Sequence, residues 1–279
     1  MSGAIAQVQV RRVRHGAAAS ETDADRVAVE APLEVRIGGV PFATIMRTPG
    51  LDRELVAGFL LAERILLDPD DLGTVMHCTD AAAPYSENVI TVGLSGRSAE
   101  KAEQALAGRR AVVASSACGV CGRRTIDDLA SGWPRVDPVA PIAAHIVADL
   151  PARLRARQAV FDQTGGLHAA GLFALDGTAL AFAEDVGRHN AVDKVVGRQV
   201  LQDGIPARAT ILCVSGRTSF EIVQKAWAAG IPCIAAVSAP SSLAIDVAEA
   251  GGITLIGFVR DAGFNVYTGS VVTGAALAR

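Results

Sequence analysis

The chain has 279 residues, of which 50% are hydrophobic and 20% are charged, and its formal net charge is -3. This composition supports a large buried core, and the small net charge gives no electrostatic signal for a nucleic-acid-binding protein. Five cysteines, an odd number in a chain too long to need disulfide staples, favour a reducing compartment. We expect a cytoplasmic protein that does not enter membranes, because the sequence has neither a secretory signal nor an apolar run of about 18 residues.

Alternating apolar side chains predict a β-hairpin early in the chain, after a flexible arm over residues 1–27. The stretch LEVRIGGVPFATIMRT (33–48) alternates up to Gly38-Gly39, where a tight turn is expected. Apolar residues near helical spacing then predict a helix over about 52–66. Further strands and a helix complete an α+β domain at 28–114; we expect them over about 74–78, 88–94 and 98–107.

The second half of the sequence predicts a different architecture. After a short strand (111–115) and a loop (115–124), a helical stretch over about 139–157 contains Pro151, which should kink or split it. Three continuous apolar strands follow, ATILCVSG, PCIAAVSA and ITLIGFVR, with helices expected between them over about 218–229 and 241–250. Such strands are typical of a largely parallel, buried sheet, so we expect an α/β domain over 125–279.

Cys118 and Cys121 stand in the Gly-flanked loop SSACGVCGRRT, and we interpret them as the centre of the chemistry. A C-x-x-C pair can bind zinc, cycle as a disulfide, carry sulfur as a persulfide or be structural. Zinc is disfavoured, because the sequence has neither a second close cysteine pair nor the H-x-E element of zinc deaminases. We therefore predict no metal site.

The residues around this pair do not separate the two remaining kinds of thiol chemistry. Neighbouring glycines predict a mobile loop, which suits a carrier, and Arg123 and Arg124 would lower the pKa of a nearby thiol. A thiolate attacks in disulfide exchange and in sulfur transfer alike. Cys213 and Cys233 lie in apolar strands, so we expect both to be small buried hydrophobic residues.

Three loops at strand ends have the composition of anion-binding loops. TGGLHAAG carries His168, VSGRTSFE carries Ser215, Gly216 and Arg217, and VSAPSSLA follows the next strand. Because ligands of open α/β sheets bind outside the carboxyl ends of the strands, these loops could converge on phosphate groups. The alternative is that their Ser and Thr residues only cap helices, and that His168 is a core histidine.

The segment AEDVGRHNAVDKVVG is dense in charged residues. His189 and Asp193 are four residues apart, so we expect them to share a helix face, where they could pair. Val192, Val195 and Val196 form the predicted buried stripe of this helix. A solvated face would explain the charges equally well.

Taken together, several motifs resemble the FdhD family of formate dehydrogenase accessory proteins. In chain order these are EAPLEVRIGGVPFATIMRTPG, LVAGFLLAERIL, CGVCG, FDQTGGLHAAGLF, EDVGRHNAVDKVVG, SGRTSFEIVQKA, SAPSSLA and GFVRDAGFNVYTG. The resemblance covers roughly residues 28–270. It implies an α/β protein with a small N-terminal α+β domain plus a C-terminal cytidine-deaminase-like three-layer α/β domain, and usually a homodimer.

The resemblance also implies a sulfurtransferase. Family members accept persulfide sulfur from a cysteine desulfurase and pass it to a molybdenum or tungsten bis(molybdopterin guanine dinucleotide) cofactor before insertion into formate dehydrogenase. Carried over to this sequence, Cys118 would bear the persulfide, with Cys121 as its partner.

The same resemblance suggests where the cofactor binds. The family's cofactor-contacting stretch corresponds to Phe258, Val259, Arg260, Asp261, Ala262 and Gly263. We expect Ser215, Gly216, Arg217 and His168 to contribute to this site. The alternatives are a non-catalytic cofactor-binding chaperone and a thiol oxidoreductase.

Overall fold

A computed structural model gives the fold of most of the chain. The described residues are 3–13, 15, 21–79, 86–109, 133–137, 139, 142–202, 204–260 and 263–273. The strand predicted over 111–115 and the cysteines Cys118 and Cys121 lie outside these residues.

The described residues form a mixed α/β fold. Its strands are β1 (Ile5–Arg12), β2 (Glu21–Ala28), β3 (Ala31–Ile37), β4 (Val40–Arg47), β5 (Leu72–His77), β6 (Val89–Leu94), β7 (His168–Ala174), β8 (Ala179–Asp185), β9 (Thr210–Val214), β10 (Cys233–Ala236), β11 (Thr254–Arg260) and β12 (Gly263–Thr268). Its α-helices are α1 (Asp52–Ala62), α2 (Gly96–Arg109), α3 (Ala144–Arg155), α4 (Ala159–Thr164), α5 (Arg188–Val200), α6 (Phe220–Ala228) and α7 (Ser242–Gly251). None of these helices has the length and apolar composition that crossing a bilayer requires.

The N-terminal segment contains regular structure. Within the described part of residues 1–27, β1 and β2 pair antiparallel as a two-stranded ribbon, and the flexibility of this arm stays a prediction. Ala4 packs beside Val160 and Leu167 in a small apolar cluster that attaches the ribbon to the rest of the protein. Every side chain of β1 is exposed or half-buried, and β2 has no apolar alternation, so only residues 6–11 of β1 carry a strand pattern.

The first large sheet has four strands in the order β4-β3-β6-β5. The predicted hairpin between β3 and β4 is confirmed, and its turn residues Gly38 and Gly39 have φ angles of 57° and 84°. Two consecutive left-handed residues are what a type I′ turn requires, and glycine adopts them without steric clash. Leu33 and Val35 of β3 are fully buried, so one face of this sheet supports the core.

The second large sheet has six strands in the order β12-β11-β10-β9-β7-β8. Strands β9, β10 and β11 are parallel, as predicted. The expectation of a largely parallel sheet is nevertheless wrong, because β7 lies antiparallel to β8 and β9, and β12 lies antiparallel to β11. For β7 and β8 the physical reason is connection length: a tight turn at Gly177, with φ of 83°, joins these two strands, and short turns join only antiparallel neighbours.

Two helices differ from their predicted bounds. The helix expected over 52–66 ends at Ala62, and Arg64 just beyond it has a left-handed φ of 57°. Pro151 does not split α3, which continues through it. Leu150 and Leu154, one on each side of the proline, are almost completely buried, and this packing holds the helix together despite the lost hydrogen bond.

Helices α1 and α5 cross at two glycines. A Cβ atom at Gly58 would overlap the main-chain oxygen of Asp193, and a Cβ atom at Gly197 would overlap that of Glu54. Only glycine therefore allows these two backbones to approach so closely. Since α1 connects β4 to β5 and packs against the four-stranded sheet, and α5 packs against the six-stranded sheet, this crossing joins the two parts of the molecule.

Apolar side chains on both sheets belong to a common core. One cluster includes Leu33 of the first sheet, Leu55 of α1, Val196 of α5 and Leu212 of β9. A second cluster lies on the opposite face of the six-stranded sheet, where α3 packs, so that this sheet is covered on both faces. The α/β class is confirmed, while the division of the chain at 115–124 stays a prediction because that segment lies outside the described residues.

The glycine crossing makes a testable prediction about stability. Gly58→Ala or Gly197→Ala should lower the free energy of unfolding by about 1–3 kcal/mol or more, because the added methyl group forces the helices apart. Gly108→Ala is the matched control, because nothing lies near its Cβ position in α2; it should be neutral or stabilising by up to about 1 kcal/mol. Denaturant unfolding monitored by circular dichroism measures both effects, and equal stabilities of Gly58→Ala and Gly108→Ala would contradict the packing argument.

Candidate functional site

The loops that follow three parallel strands meet at one edge of the six-stranded sheet. The Thr218 N–H donates to the Ala239 carbonyl at 3.1 Å, and the Ser241 N–H donates to the Thr218 carbonyl at 3.0 Å. The Phe258 N–H donates to the Ser238 carbonyl at 3.3 Å. The loops VSGRTSFE and VSAPSSLA therefore lie side by side at the carboxyl ends of their strands, as the sequence predicts, while their binding of phosphate stays a prediction.

His168, Ser215 and Gly216 lie together beside this edge. The Ser215 hydroxyl accepts from the Ala169 N–H at 2.9 Å, which fixes the loop after β9 to β7. A Cβ atom at Gly216 would lie 3.4 Å from His168 Nδ1 and 3.7 Å from Arg188 Cδ, so this loop passes close to both side chains. Three of the predicted site residues are thus neighbours.

A cavity of about 550 Å³ opens next to His168 and Ser215. Most of its wall is apolar. The lining residues are Pro151, Leu154, Arg155, Gln158, Phe161, Gly165, Gly166, Leu167, His168, Ser215 and Val237. A space of this size could hold a ring system, with polar contacts available at the His168 side.

The electrostatic surroundings of His168 favour its neutral form. Burial lowers the pKa of His168 below its ordinary value, and the nearby charges of Arg188 and His189 lower it further. The Asp185 carboxylate opposes this shift but has the smallest effect. His168 is half-buried at the start of β7, so it is neither a fully buried core histidine nor a freely exposed one.

The C-terminal part of β11 and the start of β12 contribute to the same edge of the sheet but not to the cavity wall. Phe258 has a left-handed φ of 54° and is 41% exposed, an uncommon combination for a large apolar residue. Val259 is buried, Arg260 is exposed, and Gly263 pairs with Arg260 where β12 begins. Asp261 and Ala262 lie outside the described residues, and Arg217 of the neighbouring loop is exposed.

A buried ion pair fixes the turn between β8 and α5. Lys194 Nζ lies 2.7 Å from Asp185 Oδ2, and both side chains are almost completely buried. The other oxygen of Asp185 accepts from the Gly187 N–H at 2.9 Å. The Thr48 N–H donates to Asp185 at 3.1 Å, and the Thr48 carbonyl accepts from Lys194 Nζ at 2.8 Å. Because Thr48 follows β4, these bonds connect the two large sheets.

His189 and Asp193 do not form the pair that their spacing in the sequence allows. Asp193 instead accepts two hydrogen bonds from Lys225 Nζ, at 2.7 and 2.8 Å. His189 Nδ1 lies 3.0 Å from Glu221 Oε2, and its Nε2 lies 3.1 Å from Ser219 Oγ. The sequence of α5 alone does not show which side chains of α6 pack against it. For this reason Glu221 and Lys225 were not predicted as the partners of His189 and Asp193.

The charges of α5 are not a solvated face either. Asp193 and Lys194 are each 2% exposed, and burial raises the pKa of Asp193 while the Lys225 ammonium opposes that rise. The predicted apolar stripe is confirmed, since Val192, Val195 and Val196 are buried.

Substituting one member of the buried Asp185–Lys194 pair should cause a large loss of stability. Lys194→Met keeps the length of the side chain but leaves the Asp185 carboxylate without its counter-charge, which should lower the free energy of unfolding by about 3–5 kcal/mol. Lys101→Met, at an exposed position of α2, should change it by less than about 0.5 kcal/mol. Chemical denaturation distinguishes the two variants, and similar midpoints would show that the pair is dispensable.

Known proteins with similar sequences and folds identify the family to which this chain belongs. A family model described as the FdhD/NarQ family matches residues 28–272. The protein named sulfur carrier protein FdhD from Nocardia farcinica is 48% identical over 250 residues, covering 88% of this chain and 87% of its own. Its namesake from Anaeromyxobacter dehalogenans (strain 2CP-1) is 49% identical over 275 residues, covering 95% and 92%.

A crystal structure supports the fold independently of close sequence identity. It was assigned provisionally to a formate dehydrogenase accessory protein from Desulfotalea psychrophila, and it aligns with 96% of this chain and 99% of its own. The TM-score is 0.73 at 21% identity, so the fold is the same. With the family match over residues 28–272 and relatives nearly half identical along most of their length, the chain belongs to the FdhD/NarQ family.

Proposed function

We propose that this protein is a cytoplasmic, homodimeric sulfurtransferase that serves a formate dehydrogenase. A cysteine desulfurase supplies the sulfur, and Cys118 accepts it as a persulfide with Cys121 as its partner thiol. The substrate is the molybdenum bis(molybdopterin guanine dinucleotide) cofactor, which is sulfurated before it enters the enzyme. The observation that carries the proposal is membership of a family whose relatives are named sulfur carrier proteins.

The described cysteines narrow the choice of sulfur-carrying residue. Cys213 and Cys233 are completely buried in the six-stranded sheet, and burial raises the pKa of Cys213 to about 12. Burial also raises the pKa of Cys233, and the neighbouring Cys213 adds to this rise. Because the attacking species is a thiolate, neither residue can accept sulfur near neutral pH. Cys78 is half-buried at the end of β5.

The first chemical step is an attack of one thiolate on a sulfur–sulfur bond. The Cys118 thiolate attacks the terminal sulfur of the desulfurase persulfide, and the donor cysteine leaves as a thiolate. Cys118 then carries one additional sulfur atom as a persulfide. Attack of the Cys121 thiolate on the inner sulfur breaks the persulfide S–S bond, releases the outer atom at the sulfide level for the cofactor and leaves a Cys118–Cys121 disulfide. Arg123 and Arg124, close in sequence, favour the thiolate form of this cysteine.

The converging loops supply groups that suit a guanine dinucleotide. Its phosphates need donors and positive charge, and exposed Arg217 lies at the carboxyl edge of the sheet beside Ser215. The backbone N–H groups at the start of α6 and α7 point toward the same edge. The neighbouring cavity of about 550 Å³ has room for a planar ring.

The persulfide step can be tested by mass spectrometry. After incubation with a cysteine desulfurase and cysteine, the protein should gain about 32 Da, the mass of one sulfur atom, on Cys118 or Cys121. Cys118→Ala should abolish the gain, since it removes the accepting thiolate. Cys213→Ala is the matched control and should gain sulfur like the unchanged protein, because Cys213 is buried and protonated.

The non-catalytic alternative makes the opposite prediction for the double variant Cys118→Ala/Cys121→Ala. If the protein only shelters the cofactor, formate dehydrogenase should still mature fully in cells that carry this variant. The sulfurtransferase proposal expects no active formate dehydrogenase. A thiol oxidoreductase would instead turn over protein disulfides in the absence of any desulfurase.

Binding of the nucleotide part should depend on pH through His168. In the free protein its pKa is lowered, so it is neutral at pH 7, and a bound phosphate favours the protonated form. Binding therefore takes up a proton, and the affinity for GDP should increase as the pH falls from 7 toward the lowered pKa of His168.

Isothermal titration of GDP at several pH values checks this expectation with His168→Gln as the comparison. The titration of the nucleotide phosphate is common to both proteins, so the difference between them reports the histidine. An identical pH dependence in the two proteins would remove His168 from the binding site.

A further inference from the structure

The hydroxyl of Ser219 has an unusual role for a residue at a helix start. Ser219 is the N-cap of α6, yet its side chain does not accept a hydrogen bond from the helix. The equivalent residue of the next unit, Ser241, caps α7 by accepting from the Ala244 N–H at 3.2 Å. The Ser219 hydroxyl lies instead 3.1 Å from His189 Nε2. Ser219 thus makes a hydrogen bond with His189 in place of a helix-capping bond that would contribute about 1 kcal/mol.

The histidine is held on its other side by a carboxylate. His189 Nδ1 lies 3.0 Å from Glu221 Oε2, and the Glu221 side chain is only 14% exposed. A carboxylate on Nδ1 fixes the tautomer in which Nδ1 carries the proton and Nε2 is free to accept one. Nε2 therefore faces the Ser219 hydroxyl as a base.

These three side chains have the geometry of an activated nucleophile. A hydroxyl, an imidazole within 2.6–3.2 Å and a third group that orients the imidazole define such a site irrespective of fold or order in the chain. The three residues come from the starts of two different helices, so tertiary packing and not local sequence brings them together. His189 is 29% exposed, which leaves the site open to small molecules.

The surroundings contain polar groups without partners in the described part of the chain. Thr218 Oγ1, directly before the serine, and Arg188 Nε, directly before the histidine, are buried and make no hydrogen bond to any described residue. Thr218 as a whole is 1% exposed. Unsatisfied buried donors are rare, and donors next to an activated hydroxyl are suited to stabilise a developing negative charge.

We propose that Ser219, His189 and Glu221 form a second reactive site, which cleaves small carboxylic esters or thioesters. His189 Nε2 takes the proton of the Ser219 hydroxyl while Oγ attacks the acyl carbon. The leaving alcohol or thiol departs with that proton, and an acyl-serine remains. Water then attacks the acyl-serine and gives a proton to His189. His189 passes this proton to Ser219 Oγ as the carboxylic acid leaves, so the free serine and neutral histidine return and atoms and electrons balance without any other reactant.

This site adjoins the loop of Ser215 and Arg217 that the proposed function assigns to the cofactor, but its chemistry is distinct from the sulfur chemistry proposed above. It uses no thiol, and its residues lie on α5 and α6 within the described part of the chain. Its activity should therefore persist in a Cys118→Ala/Cys121→Ala variant. That variant also removes the loop thiols, which would otherwise react with ester reagents themselves.

The test is covalent labelling of this double-cysteine variant with a fluorophosphonate, followed by peptide mass spectrometry. We expect the label on Ser219 and a slow hydrolysis of p-nitrophenyl acetate. His189→Gln should reduce both rates by about 10²–10⁴-fold, because the general base is lost. Glu221→Gln keeps the shape but not the charge and should reduce them by at least about 10²-fold.

Two serine substitutions complete the design. Ser219→Ala should abolish labelling while leaving the thermal midpoint nearly unchanged, because this hydroxyl does not cap its helix. Ser242→Ala, at an exposed position at the start of α7, is the matched control and should be labelled normally. An unlabelled Ser219 in the folded protein, or equal rates in the His189→Gln variant, would overturn the proposal.

Discussion

The buried ion pair between Asp185 and Lys194 is the interaction on which the arrangement of the molecule depends. Two charges this far from water are stable only when they meet each other and enough hydrogen-bonding partners. Thr48 supplies two of those partners from the end of β4, on the other large sheet. The position of one sheet relative to the other is thereby set by polar bonds with defined directions, whereas the apolar core alone would tolerate small displacements.

The same pair positions the chemistry at the sheet edge. Asp185 ends β8, and α5 begins three residues later, so fixing this carboxylate also fixes Arg188 and His189. Those two side chains act on the pKa of His168, and His189 reaches Glu221 and Ser219 on α6. The Asp185–Lys194 pair, whose polar atoms have hydrogen-bonding partners, thus supports neighbouring side chains that are only partly buried and that include polar atoms without such partners. Such a division is expected where a protein must hold reactive side chains in place.

Structural features that depend only on neighbouring residues in the chain could be predicted from the sequence. Gly38-Gly39 marked a turn because two left-handed residues need glycine, and the apolar strands around Cys213 and Cys233 marked a buried sheet with inert thiols. The convergence of loops at the strand ends followed from the topology of parallel strands. The resemblance to one family was specific because many separate motifs occurred in the same order.

Features that depend on tertiary partners could not be predicted in this way. The spacing of His189 and Asp193 indicated a shared helix face, but each residue pairs with a side chain that α6 brings from about 30 residues away. The ribbon of β1 and β2 escaped detection because its bonds are between backbones and its side chains face water. Cys118 and Cys121 lie outside the described residues, so their role still depends on the sequence and the proposal built on it.

The close crossing of α1 and α5 has a consequence for the order in which the protein is made. Helix α1 leaves the ribosome early, but the surface that receives Gly58 is completed only when Val200 has been synthesised. At 5–20 residues per second, that interval lasts roughly 7–30 s for the chain between Ala62 and Val200. During this time the apolar side of α1, including Leu55 and Leu61, has no native cover from α5. About half of the 279-residue chain is therefore synthesised while the apolar side of α1 lacks this cover, and during that time chaperones can protect it.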